Sequence, residues 1–290
     1  MTAPLDENVR HALERALGSP PLRVRPLHGG DINRAARVDL ADGRAVFVKS
    51  NPSAPAGLFE AEARGLAWLA EARALRLPEV LATGEPAGPA FLALEYLEPG
   101  RPAPGFDDAL GAGLAALHRK GAHGFGLDHD NFIGKLPQSN TPHAEWSEFY
   151  QRERLEPQLA RARDAGLASA HMRRGFERLF ARWPELLAAP EPPARLHGDL
   201  WSGNLFVASD GAPVLIDPAA YAGSREIDLA MMRLFGGFSS RTFAAYEEAF
   251  PLLPGHAERV ALYQLYPLMV HVNHFGGSYV AAVERTLARL

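Results

Sequence analysis

The chain contains no cysteine among its 290 residues. Disulfides, thiolate nucleophiles, Cys-ligated zinc and thiol-based redox control are therefore excluded outright. Lysine is nearly absent as well: of 30 basic residues only Lys49, Lys120 and Lys135 are lysines. Where arginine supplies the generic surface charge, each remaining lysine becomes informative. No apolar stretch approaches the ~18 residues needed to span a bilayer. The N-terminal region, with Asp6, Glu7, Arg10 and Glu14, is too charged for a secretion signal. Positive charge is not in excess either. The net charge is −4 and there is no long basic run, which argues against a nucleic-acid or membrane-surface partner. The expected address is the cytosol.

What remains is an ordinary globular composition, 47% hydrophobic and 22% charged, long enough for one large domain or two smaller ones. Leu5, Val9, Leu13 and Leu17 recur at helical spacing over residues 5–17, which predicts an N-terminal packing helix. Short strands follow at Leu22–Leu27, Arg34–Leu40 and Arg44–Lys49, the last two joined by Asp42-Gly43, a hairpin signal. Between the first two lies His28-Gly29-Gly30-Asp31. Adjacent glycines let backbone N–H groups approach an anion, so Gly29, Gly30 and Asp31 are candidates for phosphate contact, although such a pair also serves as a plain turn. Lys49 ends the third strand. The amphipathic helix that follows, over 57–70 with Phe59, Ala63, Leu66 and Ala70 on one face, carries Glu62 close to that face. A strand lysine paired with a glutamate of the next helix is how protein kinases hold nucleotide phosphates. Glu60 is the competing partner, and a lysine reaching solvent is the plain alternative.

Strands at Pro78–Thr83 and Ala90–Tyr96 lead to Glu98-Pro99-Gly100, a natural link between lobes. Glu95, Tyr96 and Leu97 are the candidates to meet a nucleotide base there. The pattern after Phe106 is helical, with further helices expected over 146–163, 171–187, 227–234 and, interrupted at His271–Gly277, over 258–290. The expectation is an α+β, bilobal protein-kinase-like fold: an N-terminal antiparallel lobe over 1–98 and a mainly helical lobe over 99–290.

The chemistry concentrates between Arg195 and Arg233. Leu205–Val207 and Val214–Ile216, joined through Ser209-Asp210-Gly211, read as a hairpin whose open end brings Asn204 beside Asp217. Asp199 lies just upstream in His197-Gly198-Asp199. Two carboxylates and an amide suit a hard divalent cation and a proton acceptor for a hydroxyl. Asp199 is the candidate base, and Asn204 and Asp217 are the candidate Mg²⁺ ligands. Taken singly, each has a plainer reading as a turn cap, a left-handed residue or a strand end. Their joint spacing behind a Lys/Glu pair points instead to phosphoryl transfer. Asp228, at a helix start, reads as a cap or a brace of the catalytic turn. Trp201 is either a core anchor or a flat face for a sugar or a cationic amine. His271 and His274 lack a third nearby ligand, so a packed or substrate-facing role is favoured over a metal site.

The stretches L-H-G-D-L-W-S-G-N-L-F, I-D-P-A-A-Y-A-G-S-R-E-I-D-L-A-M and L-F-G-G-F resemble the fructosamine kinase (ketosamine-3-kinase) family, in the aminoglycoside-phosphotransferase-like branch of the protein-kinase fold. H-G-G-D-I-N-R-A, V-K-S-N, L-F-E-A-E-A-R-G-L, D-N-F-I-G with Gln138 and Asn140, and N-H-F-G-G-S-Y extend the resemblance nearly end to end. The tryptophan of H-G-D-L-W and the run from Asp217 to Asp228 are its specific parts. The resemblance implies transfer of phosphate from ATP, with Mg²⁺, to the 3-hydroxyl of a ketosamine, whose adduct then falls apart and frees the amine. It points to Trp201, Tyr221, His274 and Phe275 as the substrate border. Some members carry a cysteine after the Gly-Gly pair and join two chains through it. Here that position is Asp31, which leaves a monomer or a dimer without a disulfide. A kinase for another amine-bearing small molecule, of aminoglycoside or choline type, and a nucleotide-binding pseudokinase remain the alternatives.

Overall fold

A computed structural model describes residues 5–27, 33–84, 88–187 and 191–290. The Gly29, Gly30 and Asp31 candidates lie outside the described residues. Helix α1 (Glu7–Leu17) starts where the Asp6 carboxylate accepts from Asn8 N at 2.9 Å and stops at Gly18, whose φ of 69° suits a left-handed cap. Strands β1 (Pro21–Leu27), β2 (Arg34–Leu40) and β3 (Ala45–Ser50), helix α2 (Leu58–Ala70), and strands β4 (Val80–Thr83) and β5 (Phe91–Glu95) follow. The strands form one antiparallel sheet in the order β1-β2-β3-β5-β4. Alternation along β3 decides the rest. Val46 and Val48 pack with Val9 and Leu13 of α1, while Phe47 joins Phe59 and Leu66 of α2 on the opposite face. Lys49 shares that second face and is carried toward α2.

Beyond a linker, α3 (Phe106–Lys120) begins the helical part. A short pair, β6 (Asn131–Ile133) and β7 (Leu136–Gln138), precedes α4 (Trp146–Phe149), a wider helical turn over Tyr150–Leu155, α5 (Glu156–Asp164), α6 (Ala170–Ala181) and α7 (Trp183–Leu186). Four short strands come next: β8 (Ala194–Leu196), β9 (Leu205–Val207), β10 (Pro213–Leu215) and β11 (Tyr221–Gly223). The chain ends with α8 (Glu226–Phe235), α9 (Ser240–Ala249), α10 (His256–Phe275) and α11 (Ser278–Leu287). The main core is here, and Leu265, Met269 and Val272 of α10 are fully buried in it. Helix α3 crosses α9 so closely that a Cβ at Gly111 would lie 2.3 Å from Thr242 O. Glycine is what permits that approach.

Three expectations change. Helix α10 runs through His271 to Phe275 and breaks only at Gly276-Gly277, whose φ values of 60° and 56° end it. Helix α9 has no counterpart in the sequence reading. The inward face of α2 is Phe59, Leu66 and Leu69 rather than Ala70, which is exposed.

Candidate active site

Nested hairpins assemble the site. β9 pairs with β10, with Leu205 opposite Leu215, and β8 pairs with β11 around them, with Leu196 opposite Tyr221. The two connections, 197–204 and 216–220, must therefore lie side by side. Asp199 sits on the first and Asp217 on the second. Asn204 Nδ2 ties them together: it donates to Asp199 O at 2.8 Å, to Asp199 Oδ2 at 3.1 Å and to Asp217 O at 3.4 Å. The expected meeting of Asn204 and Asp217 at the open end of the hairpin is present.

A buried frame fixes the Asp199 turn. Asp228, fully buried, accepts from His197 N at 2.8 Å and Gly198 N at 2.9 Å, and pairs with His118 Nε2 at 3.2 Å. The brace reading of Asp228 fits this placement. Burial would raise its pKa, but His118, His197 and the backbone donors outweigh that and hold it below the usual carboxylate range. His197 accepts from Asp199 N through Nδ1 at 3.3 Å, so Nε2 carries the proton toward Ile216 O at 2.9 Å. Gly198 has φ of 81°, and a Cβ there would lie 2.1 Å from Ala219 O. The turn admits no other residue without moving.

Asp199 itself is partly buried, and its pKa is pushed up to about 7. Burial is the main cause; the charges of Asp217 and Asp228 add to it, and the Asn204 hydrogen bond opposes it. Asp217 has φ of 57°, one of two non-glycine residues with positive φ among the described residues. Such a backbone costs of order 1–3 kcal/mol and persists where its surroundings hold it. Here Lys49 Nζ reaches Asp217 Oδ1 at 2.5 Å and Glu62 Oε1 at 2.8 Å. Burial alone would lower the Lys49 pKa, but the two carboxylates outweigh it and keep the ammonium charged. Glu62, rather than Glu60, is thus the partner of Lys49.

The carbonyls of the Asp217 turn are held by a polar layer that the sequence reading recognised only as a motif. Asn131 Nδ2 donates to Ala220 O at 2.7 Å and Gln138 Nε2 to Ala219 O at 3.2 Å. Asn140 Nδ2 donates to Asn131 Oδ1 at 3.0 Å, Arg154 Nη2 donates to Asn140 Oδ1 at 2.6 Å, and the Tyr266 hydroxyl donates to Gln138 Oε1. Arg154 is fully buried, its guanidinium 3.9 Å from the centre of the Tyr221 ring. This corrects the expectation for Tyr221. Its pairing with Leu196 turns the ring inward, where it is fully buried against Phe149 and Arg154 and cannot border a ligand.

Trp201 is 40% exposed, its ring folded over Gly203. His274 Nε2 bonds Ile133 O at 3.2 Å, and Phe275 is exposed beside it. A cavity of about 10 Å³, room for a single water, touches Gly198 and Asp199 and is lined by Ile133, Met231, Pro267 and His271. Ile133, Met231 and Pro267 are buried and belong to the core that backs the Asp199 turn. At the linker, Glu95 is committed to the sheet edge: its N–H donates to Glu79 O at 2.8 Å and its carboxylate pairs with Arg76 at 2.5 Å. Its N–H is therefore not free for a base. The sheet ends at Glu95; Tyr96 continues beyond it with its ring under Arg37, 4.4 Å from the guanidinium carbon, and Leu97 follows.

Among the described residues no group of three or more His, Asp or Glu side chains converges on a metal position. Asn204 spends its Nδ2 on protein acceptors, which leaves the amide oxygen and the Asp217 carboxylate as hard oxygen donors. Mg²⁺ characteristically takes one or two protein oxygens and completes its shell with phosphates and water, and this donor set fits that habit.

The chain is similar to known proteins over nearly its whole length. A probable ketoamine kinase of Enterococcus faecium is 39% identical over 269 residues, covering 91% of this chain and 94% of that protein. The crystal structure of a fructosamine-3-kinase candidate from Thermobifida fusca superposes with a TM-score of 0.89 at 39% identity, over 98% of this chain and 99% of the other. The aminoglycoside phosphotransferase APH(4)-Ia, in ternary complex with AMP-PNP and hygromycin B, matches with a TM-score of 0.61 at 19% identity, over 96% and 98%, and shares the kinase-like α+β fold. With the fructosamine kinase model matching residues 5–290, the chain belongs to the fructosamine kinase family.

Proposed function

We propose that the protein transfers the γ-phosphoryl group of ATP to the 3-hydroxyl of a ketosamine, as a step in deglycation. The observation that carries this reading is the convergence of Asp199, Asn204 and Asp217 with Lys49, which bonds Asp217 across 168 residues of sequence. The ketosamine rests on family membership.

In this reading the nucleotide lies between an N-terminal lobe over 1–98 and a helical lobe over 99–290, with the backbone at Tyr96 and Leu97 against the base. Lys49, kept cationic, turns from Asp217 to the phosphates as they arrive, and Glu62 holds it in reach. Asn204 and Asp217 would hold Mg²⁺, which would neutralise charge on the phosphates. Asp199 orients the acceptor hydroxyl and takes its proton as the oxygen bonds to the γ-phosphorus; the bond to the β–γ bridging oxygen breaks and ADP leaves. A pKa near 7 suits that task, since the carboxylate form is available at neutral pH and still has proton affinity. An ATP-consuming repair step also suits the cytosol. The chain has no helix long and apolar enough to cross a membrane among its described residues.

The test is ADP release with fructosyl-, ribulosyl- and erythrulosyl-amines, set against an aminoglycoside and choline. Turnover confined to the last two would overturn the substrate assignment. No turnover with any acceptor, in the presence of bound nucleotide, would favour the pseudokinase.

A further inference from the structure

Helix α2 carries no basic residue in its last turn, and Glu71 at its C-cap adds negative charge where the helix dipole is already negative. The cation it needs comes from 127 residues further along the chain. Arg195 stands in the middle of β8, four residues before Asp199, and its side chain is only 11% exposed. Its Nη1 donates to Trp68 O and, at 2.9 Å, to Glu71 Oε2, while its Nε donates to Gly121 O at 3.1 Å. The guanidinium carbon lies 4.7 Å from the centre of the Trp68 ring. Trp68 is in the last turn of α2 and Gly121 is the C-cap of α3. One planar fork thus joins two helix C-termini to the strand that enters the Asp199 turn.

The rest of α2 bears on the same turns. Glu62, Leu66 and Leu69 are spaced to share one face. Leu66 packs with Phe59, Leu92 and Leu94 against the sheet, whereas Leu69 belongs to a cluster with Leu200, Leu215 and Ala220, which flank Asp199 and Asp217 in sequence. A Cβ at Gly65 would meet Ala220 Cβ at 3.4 Å, so the helix already lies against the Asp217 turn. Its other half holds Lys49 through Glu62 at 2.8 Å.

We propose that Arg195 is a positioning residue: by pinning the C-terminal end of α2 to β8 it sets where Glu62 stands, and through Glu62 where Lys49 stands relative to Asp217. The inference rests on the reading that Lys49 meets the nucleotide phosphates. Trp68 is separated from Glu62 by about 9 Å of helix, which moves as a rod. The Lys49 and Glu62 side chains are 7% and 13% exposed, so little water is at hand to fill a gap between them. A misplacement of about 1 Å can cost about 10²-fold in rate, and with Gly65 and Leu69 still seated the loss of Arg195 should cost about tenfold.

The experiment is a double-mutant cycle on kcat/KM for ATP, with Arg195→Met and Glu62→Ala made singly and together. Each single variant should lose about tenfold, and Arg195→Met should cost no more than about twofold once Glu62→Ala is present, because no carboxylate is left for it to place. An equal loss in both backgrounds means that Arg195 only stabilises the fold, and no loss in the parent means that α2 is held without it; either result overturns the proposal. Arg195→Lys keeps a charge beneath Trp68 O but gives up the fork across two helices. The same cycle run with it should show a smaller coupling of the same sign, and zero coupling there overturns the proposal even where the methionine variant does not fold. If Glu62→Ala alone leaves kcat/KM for ATP unchanged, the assignment of Lys49 to the phosphates fails and the positioning role fails with it.

Discussion

Replacing Asp199 by asparagine should destroy activity and stabilise the protein, and the two effects have one cause. A carboxyl whose pKa is 3.8 in the unfolded chain and about 7 in the native state is harder to ionise when folded. Ionisation therefore favours the unfolded chain, by a ceiling of roughly 4 kcal/mol when both states are charged. Because Asp199 is only partly buried and solvent reaches its open side, a realistic gain for Asp199→Asn is about 1–3 kcal/mol. The sign runs with pH in a definite way. Above about 7 both states are ionised and the native protein carries the full penalty. As pH falls from 7 toward 4 the native state takes up a proton that the unfolded chain does not, and stability recovers. Below 3.8 both are protonated and the penalty is gone. The advantage of the variant should thus be greatest near pH 8, be cut to about half near pH 5.5, and vanish near pH 3.5. The geometry tolerates the change, since the asparagine oxygen can still accept from Asn204 Nδ2, now 3.1 Å from Asp199 Oδ2. Urea unfolding of the nucleotide-free protein at pH 8 and 5.5 measures the gain, and ATP turnover on a ketosamine measures the loss, which should be at least about 10²-fold in kcat with ATP binding retained. In the parent, kcat/KM should fall tenfold per pH unit below about 7. A variant no more stable than the parent at pH 8, or one within a few-fold of its activity, would refute the buried-base argument.

Lys49→Met removes the cation that joins Glu62 to Asp217; kcat should fall by ~10² or more, and fluorescence titration should show weaker ATP binding, while Glu62→Gln added to it should cost little further stability. Gly198→Ala forces a Cβ to within 2.1 Å of Ala219 O at a φ of 81°. It should destabilise by about 3 kcal/mol in urea unfolding and lower kcat more than the KM for ATP. Arg154→Lys gives up the planar stack on Tyr221 and the bond to Asn140. The loss should be about 2–4 kcal/mol, again with kcat falling more than the KM for ATP, and stability unchanged within 0.5 kcal/mol would contradict a clamping role for this layer.

What could be read in advance was whatever a local pattern determines. Lys49 at the end of its strand and Glu62 close to the inward face of the next helix were legible as a pair, with Glu62 favoured over Glu60 by helical spacing. The glycine-containing turn of the β9–β10 hairpin brought Asn204 to Asp217. What could not be read was decided by partners distant in sequence. Tyr221 stands beside the motif and reads the same whether its ring points in or out. Only its register opposite Leu196, in strands of three residues, turns it inward. Arg154 sits in a helical stretch among Gln151, Arg152 and Glu153 and looks like surface charge. It is buried because a carbonyl at Ser139 and an amide at Asn140 wait for it and aromatic rings flank it. Helix α9 has only the narrow buried stripe Thr242, Ala245 and Tyr246, too short to stand out, although Ser239 capping Thr242 N marked its start. The same distinction explains the surroundings of Asp199. Its polar partners lie within the motif and could be read in advance, whereas Ile133, Met231 and Pro267, which meet around a small cavity beside it, come from three separate elements and are indistinguishable from core until the chain folds. The chemistry of such a site is therefore legible in its polar residues, while the packing that holds them is identified only by the tertiary arrangement.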